Sequence, residues 1–456
     1  MSGLSGSSLA IAAPKLASRS DPGELLDRER MSVQRNNLWR ATAEAPPTFP
    51  VLSGDLTADV AVVGCGIMGA AAALTLAARG ASVVVLEAQR VAEGASSRPG
   101  GFVVPTFTFG GPRDVVEALG DIGARLVQMT GAAATRVFDL IREHDISCDA
   151  HQSGWYQPAH GSASWVRVQA VARDWEKAGF PVDVLDGEET HRRSGVPGYL
   201  GSWMVRQGGT LHPVDFTVGL AKAATRHGAQ IFERSAACSI ERRNGKLVVA
   251  SKQGTALVDR VILCTNGRSG GPYADLERSI VPMKIWQCAT RPIPESARAH
   301  LFKHGECLSD TRANLFTYRF DRDWRLITGT VDAWGMTSQI AASLMARRLR
   351  RHLALPETPA VEFVWSGIAS VTRSRLPQLS IFDDGVIAPV ACNGRGIAMS
   401  TVLGEAVAEY VSSGRASDLP LPITRPDGAS AALMQKLFAP LYPYYGAIRD
   451  WAAGRP

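Results

Sequence analysis

The hydrophobic pattern is clearest in the stretch "VAVVGCGIMGAAAALTLAARGASVVVLE", which begins at Val60. Four apolar residues in a row read as a strand buried on both faces. The run of small and aliphatic residues after the glycines reads as a closely packed helix, and "SVVVLE" as a second buried strand ending in an acid. Strand, helix and strand make a βαβ unit with a parallel pair. Helical spacing recurs in "RDVVEALGDIGARLVQMTGAAATRVFDLIREH" and "SASWVRVQAVARDWEKAGF". "HPVDFTVGLAKAATRHGA" predicts another helix, with Pro213 near its first turn and Gly228 at its end.

Short alternating segments follow in "QIFERSAACSIERRNGKLVVASKQGTALVDRVILCTNG", with a hairpin turn at Asn244-Gly245. "SIVPMKIWQCATRPI" and "NLFTYRFDRDWRLITGTV" are rich in β-branched and aromatic residues and predict longer sheet strands. A helix, "SQIAASLMARRLRRHL", precedes the strand "AVEFVWSGIASVT". The pattern closes with a strand, a glycine loop and a helix in "GVIAPVACNGRGIAMSTVLGEAVAEYV". No internal repeat is present. Nucleotide-type pieces at the start, middle and end alternate with pieces suited to an antiparallel sheet. The expected fold class is therefore α/β: a Rossmann-type dinucleotide-binding domain interleaved with a substrate domain built on an antiparallel sheet. The expected division is a partly disordered tail over 1–50, a cofactor domain over 51–112, 200–275 and 361–425, a substrate domain over 113–199 and 276–360, and a C-terminal helical extension over 426–456.

Length agrees with two domains, because 456 residues exceed what one hydrophobic core organises. No apolar run approaches the roughly 18 residues that span a bilayer. The opening "MSGLSGSSLAIAAPKLASRSD" lacks a basic start followed by an apolar block, so it reads as a tail and not a secretory signal. Met31 is a second candidate start. Part of the net charge of +6 lies in "MARRLRRHLAL". It reads as a solvated helix face, since no nucleic-acid module with interleaved aromatics accompanies it. The seven cysteines include no CxxC pair and sit mostly in apolar stretches, so reduced thiols in a cytoplasmic protein are expected, with no metal site.

Gly64, Gly66 and Gly69 form GxGxxG between the first strand and its helix. The first glycine permits the tight turn, the second lets backbone approach a pyrophosphate, and the third lets helix pack on strand. Helix-start amides, including those of Ile67 and Met68, then face phosphate. Glu87, followed by Ala88, ends the next strand and suits ribose hydroxyls. The alternative is a merely structural turn, and the motif alone does not separate NAD from FAD. Three features favour FAD. Ser96, Ser97 and Arg98 beside Gly100 and Gly101 offer hydroxyls, a guanidinium and open backbone to a diphosphate or flavin edge. "VDRVILCTNG" is a strand running into Thr265, about where FAD enzymes return to the cofactor. Gly394, Arg395, Gly396 and Ile397 open a late helix whose N-terminal dipole suits the pyrimidine side of a flavin.

These motifs, in this order, resemble the FAD-dependent D-amino-acid oxidase superfamily, and most closely its gamma-glutamylputrescine oxidoreductase-like branch, near the glycine and sarcosine oxidases. "LWRATAEAPP", "GGTLHPVDFTVGLAKAA", "IVPMKIWQCAT" and "WSGIASVTRSRLPQLS" carry the resemblance together with the stretches above, over about Leu38 to Tyr410. It implies bound FAD and hydride removal from a carbon bearing an amine, giving an imine that water hydrolyses. It places Gly64, Gly66, Gly69 and Glu87 at the ADP portion and Ala237 where backbone meets adenine. Ser96, Ser97, Arg98 and Gly101 fall at the diphosphate and flavin, Thr265 on the second FAD strand, and Gly394 to Ile397 at the pyrimidine end.

Three departures stand out. The loop reads "SSRPGG" where the family often has "SGRNGG", Ser374 replaces a frequent acid, and "WRLITG" carries no lysine at the oxygen-activating position. An amine or amino-acid dehydrogenase is thus as open as an oxidase, with oxygen or a quinone as acceptor.

Hydride transfer needs alignment and water exclusion more than acid–base groups, so no triad is expected. Arg395, Trp286, Tyr318 and Trp365 are the candidate catalytic residues, with Trp324 a further aromatic and Arg373 and Arg375 candidates for an acid group on substrate. His144, His151 and His212 read as ordinary polar residues. Cys392 is near the flavin loop and reads as a buried thiol, with covalent attachment as the alternative. The competing functions are a 2-hydroxy-acid dehydrogenase on the same scaffold and a non-catalytic FAD-binding protein. A monomer and a homo-oligomer are both compatible with the sequence.

Overall fold

The structure, a computed structural model, describes residues 37–266, 273–382, 385–390, 392–426, 446 and 450. Most of the expected tail, Met31, Gly267 and nearly all of the C-terminal extension lie outside the described residues.

The apolar runs form a six-stranded sheet. Its order is Gln378–Ile381, Val386–Val390, Arg260–Leu263, Val60–Val63, Val83–Leu86 and Gln230–Phe232. All neighbours are parallel except the first pair. Strands Val60–Val63, Val83–Leu86 and Val386–Val390 are buried at every position, as runs without alternation require.

The helix Ile67–Ala78 lies on one face of this sheet against two others, Pro213–Arg226 and Gly396–Ser413. Small residues set that contact. A Cβ on Gly404 would stand 2.4 Å from the Met68 carbonyl oxygen, and one on Gly69 only 1.9 Å from the Gly64 oxygen. The other face is covered by a four-stranded sheet ordered Gly54–Thr57, Gly254–Val258, Lys246–Ala250 and Ser239–Arg243. Leu247, Val249, Ala256 and Val258 pack there on Ala61, Val63, Val84 and Val261. The hairpin turns at Asn244 and Gly245, both left-handed with φ of 52° and 82°, which is the geometry a two-residue type I′ turn needs.

A second, eight-stranded sheet runs in the order Val361–Thr372, Ile280–Pro292, Arg325–Val331, Thr317–Phe320, Cys307–Ser309, Trp155–Pro158, Gly201–Val205 and Asp183–Asp186. Its pairs are antiparallel apart from one. The division expected from the sequence puts two of these strands in the cofactor domain. Val361–Thr372 instead pairs along nearly its whole length with Ile280–Pro292, and Gly201–Val205 is held between Trp155–Pro158 and Asp183–Asp186.

The helix Ser338–His352 covers one face of the large sheet. Ala341 and Met345 meet Trp286 and Cys288, while Leu349 and Leu353 meet Tyr156, Leu308, Tyr318 and Leu326. In the basic run of this helix Arg347, Arg350 and Arg351 are exposed, but Arg348 lies 3.4 Å from the centre of the Phe316 ring. The long helix Pro112–Glu143 breaks at Gly120, whose φ of 57° and ψ of −130° no helix contains. All seven cysteines are free. No described helix is long and apolar enough to cross a membrane.

The helix contact at Gly404 is testable. Gly404→Ala places a methyl group against the Met68 backbone, which cannot swing away as a side chain would. Overpacking of this kind costs about 1–3 kcal/mol, so urea denaturation of the variant is expected to show that loss with an unchanged slope.

Candidate functional site

In a parallel sheet, each strand that leads into a helix delivers the helix start to the same edge. Val60–Val63 does so for Ile67–Ala78, and Val386–Val390 for Gly396–Ser413. Gly64, with φ of +96°, packs where a Cβ would lie 3.0 Å from the Cys264 carbonyl oxygen and 3.6 Å from the Thr265 nitrogen. The end of Arg260–Leu263 is thereby brought beside the glycine turn. Gly66 is the extended N-cap of its helix and has no side-chain cap. The Ile67 amide donates to Ser96 Oγ at 2.9 Å, and that same hydroxyl would sit 2.8 Å from a Cβ on Gly66. A side chain at Gly66 would thus fill the approach to the helix start.

Glu87 closes the turn. Its Oε2 accepts from the Cys65 amide and its Oε1 from the Gln89 amide, each at 2.8 Å. Burial raises its pKa, against the pull of those two amides. Burial also pushes the Cys65 thiol up, so it stays protonated. Ala88 is exposed beside Glu87. The Glu87 carbonyl accepts from Ser235 at 2.8 Å, which carries the chain on to the partly buried Ala237.

The loop from Ser97 to Gly101 is held from outside through its carbonyl groups. Asn37 Nδ2 donates to Ser97 O at 2.9 Å, Trp365 Nε1 to Arg98 O at 3.1 Å, and Trp39 Nε1 to Pro99 O at 2.7 Å. Arg319 Nη1 donates to Gly101 O at 2.8 Å and to Leu211 O at 2.9 Å. Arg319 is 1% exposed and, among the described residues, makes no ion pair. Burial lowers its pKa, and backbone carbonyls carry the compensation. Trp39 packs edge-on to His212 and Trp365, with ring centroids at 5.0 and 6.1 Å. Ser97 Oγ is occupied by the Glu93 and Gly94 carbonyls at 3.2 Å each. The Arg98 guanidinium lies 4.0 Å from Glu93.

The late helix starts from Asn393 and Gly394, both left-handed with φ of 48° and 88°, and has no side-chain cap. Thr108 Oγ1 donates to Asn393 O at 2.5 Å, and Asn393 Oδ1 accepts from the Thr372 amide at 2.9 Å. That joins the helix start to the end of Val361–Thr372. The Arg395 guanidinium lies 5.2 Å from the centre of the Trp155 ring and donates to Phe107 O at 3.4 Å. Desolvation pulls its pKa down to about 10, which leaves it a cation at neutral pH. Two buried polar atoms around these contacts have no hydrogen-bond partner among the described residues: Thr106 Oγ1 and Arg395 Nε. Such unspent capacity, with two helix starts whose N-cap residues supply no side-chain cap, fits a long polar group bound along this edge.

Not every expected residue gathers here. Trp286 and Tyr318 lie on the opposite face of the large sheet, under Ser338–His352. Trp286 Nε1 bonds Asp332 instead. Trp324 is surface-exposed beneath Arg298, and Arg373 and Arg375 are exposed, with Arg375 4.5 Å from the Phe109 ring centre. For Trp286 and Tyr318 the reason is strand parity: one residue along, the side chain changes face. Ile67, Met68 and Ile397 bury their side chains in the core and offer only backbone. His144 meets His227 edge to face, His151 pairs with Asp149, and His212 caps Pro213–Arg226 through the Asp215 amide. Burial raises the Cys392 pKa, which disfavours a nucleophilic thiolate. Asn37, Trp39, Gln287, Arg319 and Asn393 were not singled out from the sequence.

A parallel sheet with two helix starts at one edge, closed by a second sheet, defines a Rossmann-type dinucleotide-binding protein with a separate substrate domain. Residues 59–410 match the model of the FAD dependent oxidoreductase (DAO) family, and the chain belongs to that family. It is 26% identical over 388 residues to gamma-glutamylputrescine oxidoreductase of Escherichia coli (strain K12), covering 84% of this chain and 90% of that protein. Among solved structures, L-proline dehydrogenase from P. horikoshii aligns with a TM-score of 0.69 at 18% identity, covering 81% of this chain and 96% of that one. Glycine oxidase from Geobacillus kaustophilus aligns at 0.65 with 21% identity, covering 83% and 98%. Those likenesses show the fold. FAD is the cofactor.

The grip on the loop yields a prediction. Trp39→Phe keeps the ring but leaves the Pro99 carbonyl without its donor. A loss of about 1 kcal/mol in holding the loop corresponds to about a fivefold rise in the FAD dissociation constant, read by fluorescence titration of the apoprotein.

Proposed function

We propose that this chain oxidises the C–H bond next to an amine, in a small amine or an amino acid, leaving an imine that water hydrolyses. The observation that carries this reading is the arrival of two helix starts at one sheet edge, neither with a side-chain cap from its own N-cap residue, with the loop Ser97–Gly101 fixed against the large sheet. The relatives whose names state a substrate act on gamma-glutamylputrescine, glycine and L-proline, all amines or amino acids.

In this reading Gly64, Gly66 and Gly69 admit the diphosphate to the start of Ile67–Ala78, and Glu87 accepts from ribose. Ala237 offers backbone to adenine. Ser96, Arg98, Gly100, Gly101 and Thr265 line the middle of the cofactor. Gly394 to Ile397, with the Arg395 cation, hold the pyrimidine end through the helix dipole. FAD, when bound, accepts the hydride from the substrate carbon. The protein's part is to hold donor and acceptor in line and to exclude water. Trp365 serves as wall and loop anchor, its one donor already engaged.

Oxygen or a quinone takes the electrons in the second half-reaction, and the seven free thiols suit a cytoplasmic setting. The test is anaerobic. Purified holoenzyme is expected to be yellow, and its flavin absorbance to bleach with at least one of gamma-glutamylputrescine, glycine, sarcosine or L-proline. Admission of air then separates an oxidase, which recolours at once, from a dehydrogenase. Bleaching by 2-hydroxy acids and no amine, or by dithionite alone, overturns the reading.

A further inference from the structure

Along Ile280–Pro292 successive side chains point to opposite faces of the large sheet. Trp286 and Cys288 meet the outer helix, so Gln287 faces the loop Ser97–Gly101. Its carboxamide is found there: Oε1 is 3.4 Å from where a Cβ on Gly100 would stand and 2.8 Å from one on Gly329. Gly329 is the cross-strand partner of Gln287, and the missing side chain leaves room for the carboxamide over that strand. On its other side Gln287 pairs with Trp365, whose indole N–H is committed to the Arg98 carbonyl. Gln287 is 6% exposed, yet among the described residues its Oε1 has no hydrogen-bond partner. An unpaired buried acceptor is costly, and most are paired. Ile285 and Val331, paired with one another on the same face, put an apolar wall beside it.

We propose that Gln287 orients the substrate, its Oε1 accepting an N–H from the neutral amine nitrogen while Ile285 and Val331 pack the carbon chain. This rests on the amine reading above. A neutral acceptor suits the chemistry. Hydride leaves the carbon with help from the nitrogen lone pair, so the reactive form is the free amine. A carboxamide oxygen takes an N–H and leaves the lone pair available. A carboxylate in the same place would favour the ammonium form, which has no lone pair to give.

The experiment uses loaded enzyme and the amine from the panel above that best reduces the wild type, followed by stopped-flow under anaerobic conditions. Gln287→Leu is expected to raise the half-saturating amine concentration about five- to tenfold, while the FAD dissociation constant stays within about twofold of wild type. Gln287→Glu is expected to move the acid limb of the limiting reduction rate about one pH unit higher, a shift that a purely structural residue does not produce. Gln287→Met, closer in length, replaces the leucine variant if that one fails to fold. Unchanged half-saturation overturns the assignment. So does a loss confined to FAD affinity, which would give the carboxamide to the cofactor. A wild-type flavin that no amine bleaches removes the amine reading itself, and this assignment with it, before any variant is made.

Discussion

The architecture turns on one constraint: the carbonyl groups of Ser97, Arg98, Pro99 and Gly101 are all held by side-chain donors from outside the loop. In a trans peptide the carbonyl and the next amide N–H point in opposite directions. Fixing the Pro99 oxygen on Trp39 therefore aims the Gly100 amide the other way. All four donors come from distant elements: Asn37 and Trp39 from the N-terminal segment, Trp365 and the buried cation of Arg319 from the large sheet. Removing Asn37, Trp39 or Trp365 takes the side-chain donor from its carbonyl, whereas the Gly101 oxygen still accepts from the Leu211 amide at 2.9 Å. The loop is thus set by the N-terminal segment and the large sheet and not by its own five-residue sequence. Pro99 fits this arrangement, because it gives up an amide donor but keeps the carbonyl that Trp39 needs.

Arg319 shows how such a junction tolerates charge. A buried cation without a carboxylate is normally expensive. Here Nη1 reaches the Gly101 and Leu211 carbonyls, and Nε reaches the Phe320 carbonyl at 3.0 Å. Oriented dipoles do the work of a counter-ion without adding a second charge. Gly101 makes it possible: a Cβ there would stand 2.6 Å from the Leu211 oxygen and would collide with Arg319 itself. The second glycine of "PGG" is therefore a packing requirement of the substrate domain as much as an opening toward the cofactor.

The cofactor half of the molecule was legible in the sequence because its signals are local. GxGxxG, the acid at Glu87 and the helix at Gly396 each occupy a short window, and a parallel sheet brings such windows to one edge without further information. The substrate half was less legible. A strand such as "MKIWQCAT" states that residues alternate, not which set faces inward. Trp286 and Gln287 exchange roles on that one undetermined sign, and the aromatic residue looked the better ligand only because sequence chemistry favours large side chains. Tyr318 and Arg319 repeat the ambiguity two strands away. The structure settles the sign through Ser338–His352, which claims Trp286 and Tyr318 for its own apolar stripe. Asn37 and Trp39 escaped for a different reason: their partners lie 60 residues away, and nothing local announces them.

The same geometry explains why the strongly perturbed titrating groups are not the reactive ones. Burial, with Arg322 and Arg319 nearby, holds His212 neutral far into acid, and burial raises Asp215. A buried histidine next to a carboxylate ordinarily suggests acid–base catalysis. Here His212 Nδ1 accepts from the Asp215 amide, its Nε2 meets Thr42 Oγ1 at 3.1 Å, and its ring edge supports Trp39. A neutral imidazole is what that place requires, since a charged one would lose the lone pair that caps Pro213–Arg226. The perturbation is the cost of a rigid support for the indole that holds Pro99. Chemistry that moves a hydride between two carbon and nitrogen centres asks the protein for position first, and in this chain even the titratable groups are committed to position.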